Sequence, residues 1–248
     1  MHDGIRVTIW NEGVHEKEMD VVGKLYPQGM GGQIAKSLEG RPGIASVRSV
    51  TLDSPEQGLS DEILETTDVM TWWGHTAHDR VTDENAARVH QAVVERGMGF
   101  VPLHSAHYSK PFIKLMGTSC GLKWREWEGI GEKERIWCVN PGHPIAEGLP
   151  EYIELERTEM YGEHFDIPQP DQQVFISWFQ GGEVFRSGCC WHRGLGKVFY
   201  FRPGHETLPI YYNEHVLQVI YNGVKWAAPT RLLAPPKRCC SEPLEKME

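Results

Sequence analysis

No stretch of the 248-residue chain comes near the roughly 18 to 20 consecutive apolar residues that a membrane-spanning helix requires. The N-terminus, MHDGIRVTIW, also lacks the hydrophobic core of a secretory signal, so the cytoplasm is the expected compartment and a membrane is not an expected partner. Positive charge is scarce: 25 Lys and Arg against 34 Asp and Glu leave a formal charge of −9. Binding to a phosphate backbone depends on clustered basic side chains, so nucleic acid is not an expected partner either. No C-x-x-C motif occurs among the six cysteines, and Cys189-Cys190 and Cys239-Cys240 are adjacent pairs. Without an export signal they read as reduced thiols rather than a disulfide framework. There is no internal repeat. With 40% hydrophobic and 24% charged residues the composition is that of an ordinary globular protein, which sets aside collagen-like, coiled-coil and disordered readings. At about 150 residues per domain the length suits one large domain, or a domain with a substantial insertion.

Histidine and tryptophan are abundant, at 12 and 9 residues. Histidine is the side chain most readily used for metal ligation or proton transfer near neutral pH, so its positions along the fold matter. IRVTIW (5–10) has the β-branched and aromatic character of a strand and stops at Asn11-Glu12-Gly13. Gly29, Gly31 and Gly32 lead into a helix over QIAKSLEG, and 47–52 reads as the next strand. Ser60 is a suitable N-cap for a helix, and a buried strand is expected over 68–73. In TDENAARVHQAVVERG the residues Val89, Val93 and Val94 share one helical face, and Gly97 supplies the stop. GFVPL (99–103) is another strand. The alternation predicts an α/β fold, a mostly parallel sheet covered by helices on both faces. The predicted organisation is a single domain over 1–228, a loop-rich excursion at about 110–170, and a Pro-punctuated tail over 229–248. Strands resume at 174–179, 183–190 and 197–202, and the last helix covers about 214–227.

In such sheets ligands bind beyond the carboxyl ends of the strands, so the residues just past each strand are the informative ones. Asn11 and Glu12 come after the first, with His15 and Glu16 a little further on; His75 and His78 come after DVMTWW; His104 and His107 after GFVPL; Arg202, His205 and Glu206 after VFYF. A lone histidine in such a place commonly just satisfies loop backbone groups, but histidine at three separate strand ends points to a shared site. The segment EMYGEHFDIP (159–168) adds carboxylates and His164 and is expected to close over the same pocket. Pro102 and Ala106 put compact residues two before and two after His104, as a strained strand-to-helix elbow requires. Ser105 fits that turn less well, because Leu103 and His107 would flank it.

LHSAH at the elbow, DVMTWWGHTAH before it and GKVFYFRPGHE near the C-terminus together resemble the ThuA-like (trehalose utilisation) family, within the class I glutamine-amidotransferase-like superfamily. The resemblance spans about residues 3–228. It implies a flavodoxin-like sheet and a protein of sugar catabolism acting on disaccharides or their keto derivatives. Superfamily amidotransferases carry cysteine at the elbow and a His-Glu pair after a late strand. His205 and Glu206 match the pair, whereas His104 replaces the thiol, which argues against glutaminase chemistry.

Neutral imidazoles with a carboxylate suit Zn²⁺, and the expected ligands are His75, His104, His164 and His205. The expected catalytic groups are His104, His205, Glu206 and Glu163, moving a proton next to a sugar carbonyl in an isomerisation, elimination or hydrolysis. Asn11, Glu12, His107, Arg202 and Trp73 are expected to bind the sugar. The alternatives are a non-catalytic carbohydrate-binding or regulatory protein on the same scaffold, and an amidohydrolase using Ser105 or Cys190. Other signals have plainer readings. Gly29-Met30-Gly31-Gly32 matches no phosphate-binding motif, the cysteines read as small buried hydrophobes, and His143, between Pro141 and Pro144, reads as part of a turn. Most tryptophans are expected in the core or in subunit contacts, with no more than two at a ligand, and a homo-oligomer is expected.

Overall fold

The computed structural model describes residues 4–230, 243 and 245–247; the predicted tail lies mostly outside them. Nine strands form one sheet in the order β2-β1-β3-β4-β11-β10-β9-β6-β7. β1 (Ile5–Asn11), β2 (Ile44–Thr51), β3 (Val69–Trp73), β4 (Gly99–Leu103) and β11 (Gly196–Phe201) run parallel to their neighbours within this half. The other half is antiparallel: β10 (Val184–Arg193), β9 (Gln172–Phe179), β6 (Glu132–Cys138) and β7 (Tyr152–Thr158). β6 and β7 belong to the stretch expected to be an excursion, and they extend the main sheet. A two-stranded sheet of β5 (Lys123–Arg125) and β8 (Met160–Gly162) stands apart from it.

Alternation along the strands divides the core into two layers, because successive side chains in a strand point to opposite faces. Val7, Ile9, Val69, Trp73, Val101, Leu103, Phe199 and Phe201 face one layer. Trp10, Met70, Trp72, Phe100, Val198 and Tyr200 face the other, where the Trp10 and Trp72 rings stack at 3.8 Å. α3 (Gly29–Leu38) and α7 (Glu214–Ala227) cover the first face through Met30, Ile34, Leu38, Val216, Val219, Ile220 and Val224. α4 (Asp61–Glu65), α5 (Asp83–Arg96) and α6 (Lys110–Met116) cover the second. The main helices carry the ends expected of them. Thr82 caps α5 by accepting from the Asn85 N–H, and Gly97 closes it in the left-handed conformation at φ 80°.

The order β2-β1-β3-β4 places neighbours on either side of β1, so connections leave in opposite directions between β1 and β3. That is the topological switch point of a flavodoxin-like fold, and a crevice opens there at the carboxyl ends of the strands. Short helices α1 (His15–Glu18) and α2 (Asp20–Leu25) come after β1 beside this crevice.

Candidate active site

The imidazoles of His75, His104 and His205 come from three separate strand ends and meet at the switch point. Their ring centroids lie 5.8 Å apart for His75 and His104, 6.0 Å for His75 and His205, and 5.7 Å for His104 and His205. His15, one turn beyond β1, joins them with its centroid 5.0 Å from that of His75. Together with Glu159, Glu206, Glu126 and the rings of Tyr108, Trp124 and Tyr161, His75 and His205 line a cavity of about 380 Å³, and the fully buried His104 packs against the rings of His75, Tyr161 and His205.

His104 sits at the elbow with φ 52°, a left-handed backbone that a bulky residue adopts only when its surroundings enforce it. Gly204 makes room beside it: a Cβ on Gly204 would come 2.9 Å from the His104 Cβ and collide with the Tyr211 hydroxyl. The His104 Nδ1–H donates to the Arg202 carbonyl at 3.1 Å, because a carbonyl can only accept. The lone pair therefore resides on Nε2, which is buried, has no hydrogen-bond partner among the described residues and faces the equally unpartnered Oε2 of Glu159 at 3.3 Å. Burial, with the nearby Arg202 charge, holds His104 well below the ordinary histidine range, so the ring is neutral. Burial likewise pulls His205 down to about 3 and His107 to about 3. It pushes the carboxyls of Glu159 and Glu206 upward.

Glu206 lies between the histidines, its oxygens 3.8 Å from His15 Nε2, 3.9 Å from His75 Nε2 and 3.8 Å from His205 Nδ1. Its Oε2 has no hydrogen-bond partner among the described residues. Two donor groups thus converge closely enough to share an ion, His75-His104-Glu159 and His15-His75-Glu206. Two ligands of a tetrahedral ion at about 2.0 to 2.1 Å sit about 3.3 Å apart. The His104–Glu159 spacing matches that separation, and the orphaned buried atoms on both sides suit a cation.

The other expected site residues lie elsewhere. Glu163 and His164 do not join the cavity. Glu163 lies past the end of β8, where both of its oxygens are taken by Arg186 of β10 at 2.9 Å, and His164 is exposed. The carboxylate from that segment that reaches the histidines is Glu159, just before β8. His205 lines the cavity but belongs to neither donor group, and its Nδ1 lies 3.0 Å from the Thr207 hydroxyl.

Of the residues expected to bind sugar, only His107 lines the cavity, with Nδ1–H donated to the Cys120 carbonyl at 2.8 Å. The other four sit one layer behind. The Glu12 carboxylate accepts the backbone N–H groups of His75, Thr76 and Ala77 at 2.8 to 3.1 Å and so shapes the His75 loop. Asn11 donates its amide to Glu16. The Trp73 indole donates to the Gly204 carbonyl at 2.9 Å, tying the end of β3 to the loop of His205. Arg202 is fully buried, paired with Glu134, and donates to Thr158 and to the Glu159 carbonyl. Its guanidinium is therefore committed to holding Glu159 rather than a ligand.

Sequence reasoning placed His15 past the first strand and the 159–168 carboxylates near the pocket, but assigned no role to His15, Glu159, Glu126 or Tyr161. A histidine one turn past the first strand was the available signal for His15. For Glu159 and Tyr161 it was their i, i+2 spacing, which puts both on one side of an extended segment. Cys190, the candidate thiol, is buried in the core on β10, where desolvation raises it well above the usual thiol range. His143 accepts from the Ile145 N–H and closes a turn.

A flavodoxin-like α/β scaffold with imidazoles gathered at its switch point is thus the class of protein that fold and site define. Within that class the chain belongs to the ThuA family, described as trehalose utilisation, whose family model matches residues 6–227. It is accordingly a protein related to sugar catabolism. Among solved structures it is similar to a ThuA-like protein from Parabacteroides merdae, with TM-score 0.61, 16% identity and 93% of each chain covered. It is also similar to a ThuA-like protein from Bacteroides uniformis, with TM-score 0.60, 14% identity and 90% of each chain covered. A cytoplasmic protein from Salmonella typhimurium aligns at TM-score 0.54 and 11% identity, over 91% of this chain and all 100% of that one. At these identities the likeness concerns the fold alone. No curated protein matches the sequence. No helix among the described residues is long and apolar enough to cross a membrane.

Proposed function

We propose that the chain is a metal-assisted enzyme acting on a neutral disaccharide or its keto derivative, by removing a proton next to a carbonyl. Isomerisation and elimination of the glycosidic oxygen both begin from that step, and addition of water to the eliminated product completes a net hydrolysis. The observation that carries the reading is the pair of buried atoms, His104 Nε2 and Glu159 Oε2, unpartnered among the described residues and facing one another at 3.3 Å, with Glu159 lining the cavity. An uncompensated buried polar atom is costly, and a cation would satisfy both at once. His75, His104 and Glu159 would hold the ion, and a set of neutral imidazoles with a carboxylate favours zinc. Bound there, it would polarise a sugar carbonyl as a Lewis acid.

The remaining groups are placed to handle the proton and the ligand. Burial raises the Glu206 carboxyl, so its ionised form is a stronger base than a solvated glutamate, and His205, held neutral by burial, stands 3.8 Å from it. Among the described residues that line the cavity there is neither lysine nor arginine, while Glu126, Glu159 and Glu206 contribute carboxylates. Such a lining repels sugar phosphates and sugar acids and suits an uncharged, hydroxyl-rich ligand. Trp124 and Tyr108 offer apolar ring faces to the C–H face of a pyranose.

The test is metal content and turnover of keto-disaccharides for untagged protein and for His104→Ala. About one zinc per chain in the parent, lost together with turnover in a folded variant, is expected. A parent that binds no transition metal overturns the metal-assisted enzyme. Unchanged metal and turnover in the variant favours the non-catalytic carbohydrate-binding reading.

A further inference from the structure

His15 sits in the same cluster yet has a different set of neighbours from the other histidines. Its Nδ1 lies 3.2 Å from the Met19 sulfur, and its Nε2 lies 3.1 Å from Nδ1 of His75. The Met19 contact comes from local geometry: His15 opens α1, and residues four apart in HEKEM lie on the same side of the turn. The His15 ring is buried.

These distances determine where the protons are. A thioether sulfur can accept a hydrogen bond but cannot donate one, so a favourable contact at His15 Nδ1 requires the proton on that nitrogen. In a neutral His15 the lone pair then lies on Nε2, and the short approach of His75 Nδ1 requires His75 to be the donor. His75 accordingly carries its proton on Nδ1 and its lone pair on Nε2, the nitrogen that faces Glu206 at 3.9 Å. His104 reaches the same tautomer by a different route, through the Arg202 carbonyl. Histidines that bind a metal through one nitrogen almost always donate from the other, and that donation fixes the ring and raises its basicity.

We infer that His15 is a positioning residue that, by accepting from His75 Nδ1 while donating to Met19, holds His75 Nε2 open for a divalent cation. The inference rests on the proposed metal centre, in which His75 is a ligand. It gives His15 a role distinct from that of a ligand, although His15, His75 and Glu206 lie close enough to hold an ion themselves.

Two measurements test it, and the first needs no metal. Long-range ¹H–¹⁵N correlation of the histidine rings in chelator-treated full-length protein is expected to show His15, His75 and His104 as Nδ1–H tautomers, with His75 losing that preference in His15→Ala. A protonated His15, or a His75 bearing its proton on Nε2, overturns the inference whatever the metal does. The second is a chelator-competition titration with Zn²⁺, accompanied by the visible spectrum with Co²⁺. His15→Ala is expected to weaken Zn²⁺ about 10- to 100-fold. His15→Gln, whose amide oxygen can still accept, is expected to restore most of that loss. The Co²⁺ spectrum at saturation should be the same in all three proteins. Undiminished affinity in His15→Ala, or a spectrum showing one ligand fewer, overturns the positioning role. A parent that binds neither ion instead defeats the metal centre itself, and the tautomer measurement still reports on His15.

Discussion

Trp124 leaves 63% of its surface open to solvent, unusual for the largest apolar side chain, and it does so on the wall of the histidine cavity. An exposed indole facing polar, acidic groups is suited to one face of a sugar ring. Trp124→Ala is expected to weaken disaccharide binding about tenfold, with metal affinity unchanged; equilibrium binding of the disaccharide and a chelator-competition titration with Zn²⁺ separate the two effects. That loss corresponds to about 1 to 1.5 kcal/mol for an aromatic contact. Gly204 makes the opposite case, a residue whose importance is the absence of a side chain. With φ 150° and a Cβ position already filled by Tyr211 and His104, Gly204→Ala must displace the elbow histidine. Loss of zinc affinity together with a lowered thermal midpoint is the expected result by titration and calorimetry.

At the scale of elements, the parallel half of the sheet is built from segments whose ends are written in the chain. Asp83–Arg96 is helical because Thr82 satisfies an otherwise unpaired N–H at one end, Gly97 adopts the left-handed conformation at the other, and Val89 and Val93 are buried between. Thr82→Ala should cost about 1 kcal/mol in chemical denaturation while Thr82→Ser stays near the parent, because serine keeps the capping oxygen. Strands over 99–103 and 69–73 were equally legible, as short β-branched or aromatic runs between turn residues. The segment around 159–163 was legible only as belonging to the site. Which of its carboxylates reaches the histidines was not, since Glu159 and Glu163 share strand parity and differ only in that Arg186, distant in sequence, captures the second.

On the scale of the whole molecule, folding takes several imidazoles out of water at once. Burial lowers His78 to about 4, His107 to about 3 and His205 to about 3, whereas each would titrate near 6.5 in the unfolded chain. Below about pH 6.5 the unfolded state takes up protons that the folded state refuses. Stability is therefore complete above that pH and declines as pH falls toward the folded values. Each such group contributes about 1.4 kcal/mol per pH unit across that window. His107→Asn, which keeps a donor for the Cys120 carbonyl, should flatten the decline by about that slope in urea unfolding between pH 6 and 4 with chelator present. Glu134, Glu159 and Glu206 are raised by burial and act in the reverse sense, losing their contribution as pH rises. They are common to both proteins and leave the difference intact.

The amino-acid sequence by itself determined the α/β alternation, the capped helices and the presence of histidine after several strands, because propensity, capping and two-residue periodicity act over a few neighbours. Tertiary structure alone decided that β6 and β7 complete the sheet. It also decided that Arg202, Asn11, Glu12 and Trp73 stand behind the site rather than in it, and that His15 and Glu159 belong to it. Those outcomes depend on side chains 43 to 131 residues from their partners competing for the same buried space and hydrogen bonds, as Trp73 does with Gly204 and Arg202 with Glu134 and Glu159. Local pattern carries no record of such competition, since burial and pairing are settled only when the layers close.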